Sequence, residues 1–82
     1  MSSITQMKTR SEHLAWCKTR AHQEYEYYKR KEPASAIRNA VASMLSDLEK
    51  HPETEKMTQI AFVLSLTAKD ESSLFKFIDG FN

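Results

Sequence analysis

Residues 33–52, PASAIRNAVASMLSDLEKHP, carry the pattern that decides the predicted fold. Apolar side chains recur there every three or four residues, the period of one helix face, at Ala34, Ile37, Ala40, Val41, Met44, Leu45 and Leu48. Pro33 suits the first turn of a helix, where its missing N–H has no intrahelical partner to lose. Lys50 and His51 are predicted to lie in the last turn, where positive charge is favourable. We therefore predict an amphipathic helix that ends at the His51-Pro52 dipeptide.

A first helix is predicted before this segment. Thr9 and Glu12 have the spacing of a capping box, and they are followed by an apolar stripe at helical spacing: Leu14, Cys17, Ala21, Tyr25 and Tyr28. This helix should end within KRKEP, because the residue before a proline disfavours helical backbone angles. Residues 1–8 are then expected to form a flexible N-terminal tail.

A third helix is predicted from about Glu53 to about Ala68. The run IAFVLSL within it could also form a buried strand, but Glu53 and Glu55 at its start favour a helix. Its main stripe is Met57, Ile60, Ala61 and Leu64, and its remaining apolar residues widen that face. A helix so apolar is either the central element of a bundle or buries its spare face in a second chain.

A short fourth helix closes the chain. Leu74, Phe77, Ile78 and Phe81 follow one another at helical spacing, with Asp70 or Ser72 as the N-cap. Gly80 is expected to adopt a left-handed conformation that ends the helix, with Phe81 folded back onto the last turn.

Length and composition favour one small helical domain. The chain has 82 residues, of which 40% are apolar and 28% charged, with one glycine and two prolines. Few turn-forming residues favour long helices over many short strands. A chain this short buries only roughly 60–65% of its unfolded surface. We predict an all-α fold over residues 1–82: a small bundle of three longer helices plus one short C-terminal helix.

The sequence also predicts where the protein acts. Cys17 is the single cysteine, which excludes an intramolecular disulfide. The N-terminus lacks the apolar stretch of a signal peptide, and the longest uncharged run has 12 residues, too few to span a bilayer. We expect an intracellular protein without a membrane partner. Residues 1–31 carry a net charge of +4 and residues 32–82 a net charge of −3, a dipole that could orient a partner.

Candidate catalytic and metal-binding residues are few. His51 lies between Glu49 and Glu53 and could act as a general base, although the KHPET segment is more simply explained as a helix corner. His13 and Cys17 share a helix face, as metal ligands can, but a small buried thiol is the simpler interpretation of Cys17. We predict no catalytic residues, no metal site and no cofactor.

The first helix carries the candidate binding residues. Residues 16–31, WCKTRAHQEYEYYKRK, alternate aromatic and basic side chains, which could stack on bases and contact phosphates. Glu24 and Glu26 within the segment oppose this nucleic-acid interpretation. Aromatic and arginine side chains are also enriched in protein interfaces. The predicted contact residues lie on the exposed side of the first helix: Trp16, Arg20, Tyr27 and Lys31.

Three phrases of the sequence resemble a known family. They are MKTRSEHLAWCKTRA, AVASMLSDLEKHPET and FKFIDGFN, which together span residues 7–54 and 75–82. The family comprises small, mostly uncharacterised proteins encoded by tailed bacteriophages. This resemblance implies a phage origin and a place of action in the host bacterial cytoplasm, and it implies no activity or catalytic residue.

The functional hypothesis is therefore a non-enzymatic phage accessory protein that binds a bacterial or phage protein. Self-association as a homodimer is compatible with the apolar third helix. The alternative is a nucleic-acid-binding protein that uses the basic, aromatic first helix.

Overall fold

The computed structural model describes residues 9–82, and within that range every regular element is a helix. The predicted all-α class is confirmed. The predicted N-terminal tail, residues 1–8, lies outside the described residues. The helices are α1 (Arg10–Lys31), α2 (Pro33–Leu48), α3 (Pro52–Glu55), α4 (Thr58–Ser65) and α5 (Glu71–Asp79).

Helices α1 and α2 form an antiparallel pair with the largest helix–helix contact of the fold. The predicted capping box begins α1: the Thr9 hydroxyl accepts the N–H of Glu12, whose carboxylate accepts the N–H of Thr9. The helix ends at Lys31, and Pro33 occupies the first turn of α2 as predicted. Both helix boundaries at the α1–α2 connection therefore follow from local chemistry.

The core lies where α1, α2 and α5 meet, and one residue of α4 reaches it. Its buried apolar members are Leu14, Cys17, Ala21, Tyr25, Ala36, Ala40, Met44, Leu48, Ala61, Leu74, Phe77, Ile78 and Phe81. Among the described residues, no helix combines the length and the apolar character that a bilayer crossing requires.

The prediction of one continuous third helix is wrong. Residues 52–65 form two helices, α3 and α4, separated by a turn at Lys56 and Met57. The N–H of Met57 bonds to the carbonyl of Thr54, three residues back, and the N–H of Ala61 then bonds to Met57 to begin α4. The run IAFVLSL is helical rather than a strand, but its helix has only eight residues.

The corner between α2 and α3 is held by a buried threonine. Thr54 is fully buried, and its hydroxyl donates to the carbonyl of Leu48 at 2.6 Å, at the end of α2. Lys50 and His51 lie beyond α2 rather than in its last turn, which corrects their predicted place. His51 instead begins α3, because its Nδ1 accepts the N–H of Glu53 at 3.0 Å. KHPET thus forms a corner, as the simpler interpretation predicted.

Helix α5 begins at Asp70, the first of the two predicted N-caps, whose carboxylate accepts the N–H of Ser73. Phe81 is buried and packs edge-on against Phe77, as predicted. The predicted left-handed conformation of Gly80 is wrong, because its φ is −79° and its ψ −11°. Glycine is required there for space: a Cβ atom would lie 2.7 Å from the carbonyl oxygen of Lys76.

We expect the substitution Thr54→Val to lower the free energy of unfolding by about 1–3 kcal/mol. Valine keeps the side-chain volume but removes the donor to the Leu48 carbonyl, and an unsatisfied buried acceptor is costly. Urea denaturation measures the change. Thr67→Val is the matched control, since the Thr67 hydroxyl also donates to a carbonyl but is exposed to water. Equal losses in both variants would contradict the role of Thr54.

Candidate functional site

Helix α4 exposes an unusual amount of apolar surface. We call the following set the α4 surface, with the exposed fraction of each residue: Ile60 63%, Phe62 58%, Val63 59%, Leu64 44% and Leu66 66%. With about half of each side chain exposed, the apolar area is on the order of 500 Å², near the upper end for the largest patch on a monomer. Patches of that size commonly mark interaction sites.

The exposure follows from how α4 packs. Ala61 is the buried residue of α4, and the helix contacts α2 and α5. Of the two alternatives for this segment, the central position in the bundle does not hold, because Ala61 is the residue of α4 that is buried in the core formed by α1, α2 and α5. Its apolar side chains therefore point to solvent, which leaves burial in a second chain as the remaining prediction.

Three grooves lined by described residues border the α4 surface: one, with charged side chains in its lining, reaches it at Phe62, and the other two have mainly apolar linings. One of these two, of about 340 Å³, lies between α4 and α5 and is lined on its apolar side by Leu64, Phe77 and Phe81. The other, of about 400 Å³, is lined by Gln59, Ile60, Val63 and Leu64. Apolar side chains of a partner could enter both grooves, as anchor residues do at the centre of protein interfaces.

The four contact residues predicted on α1, here called the α1 stripe, form two stacked pairs. The guanidinium of Arg20 lies 5.2 Å from the ring centre of Trp16, and the ammonium of Lys31 lies 5.6 Å from that of Tyr27. Their spacing places all four on one face of α1. Tyr27 and Lys31 are exposed, whereas Trp16 and Arg20 are half-buried. The outer pair is therefore more accessible to a partner than the inner pair.

The inner pair belongs to a charged cluster that the sequence did not reveal. Asp47 has a side chain only 1% exposed, and its carboxylate accepts from Nε of Arg20 at 2.7 Å and from Nζ of Lys50 at 3.0 Å. The Lys50 ammonium also lies 5.6 Å from the Trp16 ring centre. Trp16 is thus flanked by two cations that share one buried carboxylate. The signal in the sequence was the spacing of Asp47 and Lys50, which places them on one helical turn.

His13 and His51 both make hydrogen bonds that stabilise the fold at the corner between α2 and α3. The ring of His13 lies 5.2 Å from that of His51, and its Nε2 donates to the main-chain carbonyl of Asp47 at 2.7 Å. Nδ1 of His51 accepts the N–H of Glu53 at the start of α3. The lone pair of that nitrogen, which a general base would need, is therefore used in the fold. Within residues 9–82, no group of three or more histidine, cysteine or carboxylate side chains is placed to hold a metal ion.

Cys17 is fully buried, as its simpler interpretation predicted. Burial and, to a lesser extent, the nearby carboxylate of Asp47 raise the pKa of its thiol to about 11. A thiol that stays protonated at neutral pH is a poor nucleophile and a poor metal ligand. Cys17 therefore serves as a small apolar side chain of the core.

Several cations of α1 bind other parts of the same chain. Lys18 donates to the main-chain carbonyls of Asp79 and Phe81, and Arg10 to that of Asn82. Lys29 pairs with Glu71 at 3.3 Å. Cations held by carbonyls and carboxylates are less available for phosphates, which opposes the nucleic-acid alternative.

We expect Asp47→Asn to lower the free energy of unfolding by about 1–3 kcal/mol. The change removes the shared anion, and the loss stays below that of a fully buried pair because Arg20 and Lys50 remain partly exposed. Urea denaturation followed through the fluorescence of Trp16, the single tryptophan, measures the change. Asp79→Asn is the control, since its carboxylate is 60% exposed where it pairs with His22. A loss no larger than the control's would contradict the cluster's role.

The raised pKa of Cys17 predicts a loss of stability in alkali. The folded state keeps the thiol protonated up to about pH 11, whereas the unfolded chain ionises near pH 9. The free energy of unfolding should therefore fall by up to about 2–3 kcal/mol as the pH rises from 9 to 11. Cys17→Ala should show a smaller decline over the same range, because only its remaining groups titrate. Parallel stability curves for the two proteins would overturn this prediction.

Comparison with known proteins found no match: no family model, no curated protein and no solved structure matches this chain. The resemblance to small phage proteins therefore stays a prediction, as do the accessory role and the host cytoplasm. The functional interpretation rests on the geometry of the α4 surface and of the α1 stripe.

Proposed function

We propose that this protein is a non-enzymatic binding protein that acts by contact with another protein, with the α4 surface as its main contact. The observation that carries the proposal is the exposure of five large apolar side chains on one short helix and its C-cap residue. In agreement with the resemblance noted above, we propose a phage accessory role in the host bacterial cytoplasm, with a bacterial or phage protein as the partner.

Magnitudes favour a protein partner over a small ligand. Covering on the order of 500 Å² of apolar surface stabilises a complex by roughly 12 kcal/mol before the costs of association. Those costs are about 4–15 kcal/mol, so the partner must also bury apolar surface of its own. A flat helix face with shallow flanking grooves suits such a broad contact better than it suits a compact ligand.

The α1 stripe is proposed as a second contact. Tyr27 is 53% exposed and stacks with Lys31, which lies on the same face of α1. A pre-stacked aromatic and cation lose little side-chain entropy on binding. Trp16 and Arg20 would contribute through their exposed edges, while the ion pair of Arg20 with Asp47 holds the guanidinium over the Trp16 ring. The stripe would orient the partner, and the α4 surface would supply most of the affinity.

Site-specific photo-crosslinking tests the proposal. A photoreactive phenylalanine analogue is placed at Phe62, at Tyr27 and, as a control, at Ala15, which is exposed on α1 and lies at least about 100° around the helix from every residue of the stripe. The proteins are produced in bacteria and irradiated in the cells. We expect a discrete protein adduct from Phe62, a weaker one from Tyr27 and none from Ala15.

Two results would contradict the proposal. The absence of any protein adduct at Phe62 would remove the α4 surface as a contact. An adduct at Tyr27 that nuclease digests would favour the nucleic-acid alternative, as would association that weakens steeply with rising salt.

A further inference from the structure

We propose that the partner seated on the α4 surface is a second copy of this chain, related by a two-fold axis that passes beside Val63. This inference rests on the proposed function, since it names the occupant of the proposed protein-binding surface. It concerns a homodimer in which α4 of one copy packs antiparallel to α4 of the other.

The absence of charge on this segment permits self-association. Residues 57–68, MTQIAFVLSLTA, contain no charged side chain. A two-fold interface uses the same surface from both copies, so any charge at its centre would face its own like charge. The end of α1 would suffer this repulsion, because Lys29, Arg30 and Lys31 are exposed side by side. The α4 surface meets a copy of itself without that cost.

The helical geometry places Val63 at the centre of the surface. At 3.6 residues per turn, Val63 projects almost directly away from the buried Ala61 side of α4. Ile60 and Leu64 flank it on one side, and Phe62 and Leu66 on the other. A two-fold axis beside Val63 brings each flank against the same flank of the second copy. Ile60 would then contact Leu64 of the second copy, and Phe62 would contact its Leu66.

The grooves match this arrangement. The groove lined by Ile60, Val63 and Leu64 lies on the first flank, where the axis places Leu64 of the second copy. Each copy therefore offers both an apolar side chain and a groove to receive its counterpart. Such mutual insertion is how antiparallel helices pack closely.

The area is sufficient for a weak, specific dimer. Two copies together would bury on the order of 1,000 Å² of apolar surface, near the lower bound of specific interfaces. An interface of this size predicts association in the micromolar range rather than a permanent dimer.

The charges at the ends of the segment fit an antiparallel pair. Glu55 and Lys56 precede α4, while Lys69 and Asp70 follow it, and all four are exposed. Antiparallel packing brings one end of a copy near the opposite end of the other. Each end carries one carboxylate and one ammonium, so neither end presents an uncompensated charge to the second copy.

A charge-complementation experiment separates a second copy from any other partner. Val63→Glu and Val63→Lys are prepared separately, and sedimentation velocity is recorded for each alone, for wild type and for an equimolar mixture. The wild type is expected to pass from a 9.5 kDa monomer to a dimer of twice that mass as concentration rises. Each variant alone should dimerise at least about 10-fold more weakly, because like charges meet at the axis. The mixture should recover association.

Matched controls keep the result specific. Ala15→Glu and Ala15→Lys introduce the same charges on α1, at an exposed position away from the stripe, and they should dimerise as wild type does. Val63 is 59% exposed, so its substitution leaves the core intact, and circular dichroism verifies the fold. Val63→Cys adds an independent readout. It should form a disulfide-linked dimer on mild oxidation, since Cys17 is buried and cannot compete, whereas Ala15→Cys should not.

The possible outcomes distinguish this inference from the proposed function. Recovery in the mixture, with Val63→Cys cross-linking, supports the homodimer. A wild type that stays monomeric overturns the homodimer, and a Phe62 photo-adduct to a different protein in that case leaves the protein-binding function in place. A wild-type dimer that both Val63 variants retain would place the interface elsewhere and overturn the inference.

Discussion

Asp47 bonds to α1 through both its main chain and its side chain. Its carbonyl accepts from His13, and its carboxylate pairs with Arg20, two turns further along α1. A second cation, Lys50, reaches the same carboxylate from beyond the end of α2. Because an unpaired buried carboxylate would be costly, the two helices and the chain after them are held in one relative position.

That position determines the course of the following segment. With α2 ended at Leu48, the hydroxyl of Thr54 bonds back to its last carbonyl and forces α3 to begin at the corner. The turn at residues 56–57 then starts α4 in a new direction. Helix α4 packs with one side against α2 and α5. The most apolar stretch of the chain is consequently left with only Ala61 inside the core.

An apolar helix on the surface of so small a domain has opposing consequences. The exposed halves of the leucine, isoleucine and phenylalanine side chains add nothing to the stability of the monomer and favour association. The stability of the monomer depends on the tightly packed α1–α2 pair, on the capped helix ends and on α5. The α1–α2 pair thus stabilises the fold, while a separate apolar face is exposed. This arrangement is compatible with a protein whose task is binding, because the exposed face can vary without loss of the core.

Local interactions account for most of what could be predicted. The capping box at Thr9, the end of α1 before Pro33, the Asp70 cap and the return of Phe81 onto Phe77 all depend on residues a few positions apart. Predictions failed where a distant contact or a backbone clash decided the outcome. Gly80 is needed for its close approach to Lys76 rather than for its φ angle. The third helix is interrupted at residues 56–57, after the short α3 in which buried Thr54 bonds to the distant carbonyl of Leu48.

For the candidate sites, too, local spacing predicted part of the arrangement and distant contacts decided the rest. Residues at helical spacing along α1 defined the stripe of Trp16, Arg20, Tyr27 and Lys31, and the structure arranges them as two stacked pairs. The sequence by itself determined that residues 60–66 are apolar and favoured a helix there, because composition and period are local properties. Only the tertiary structure decided that they face solvent, because that depends on how α4 packs against α2 and α5.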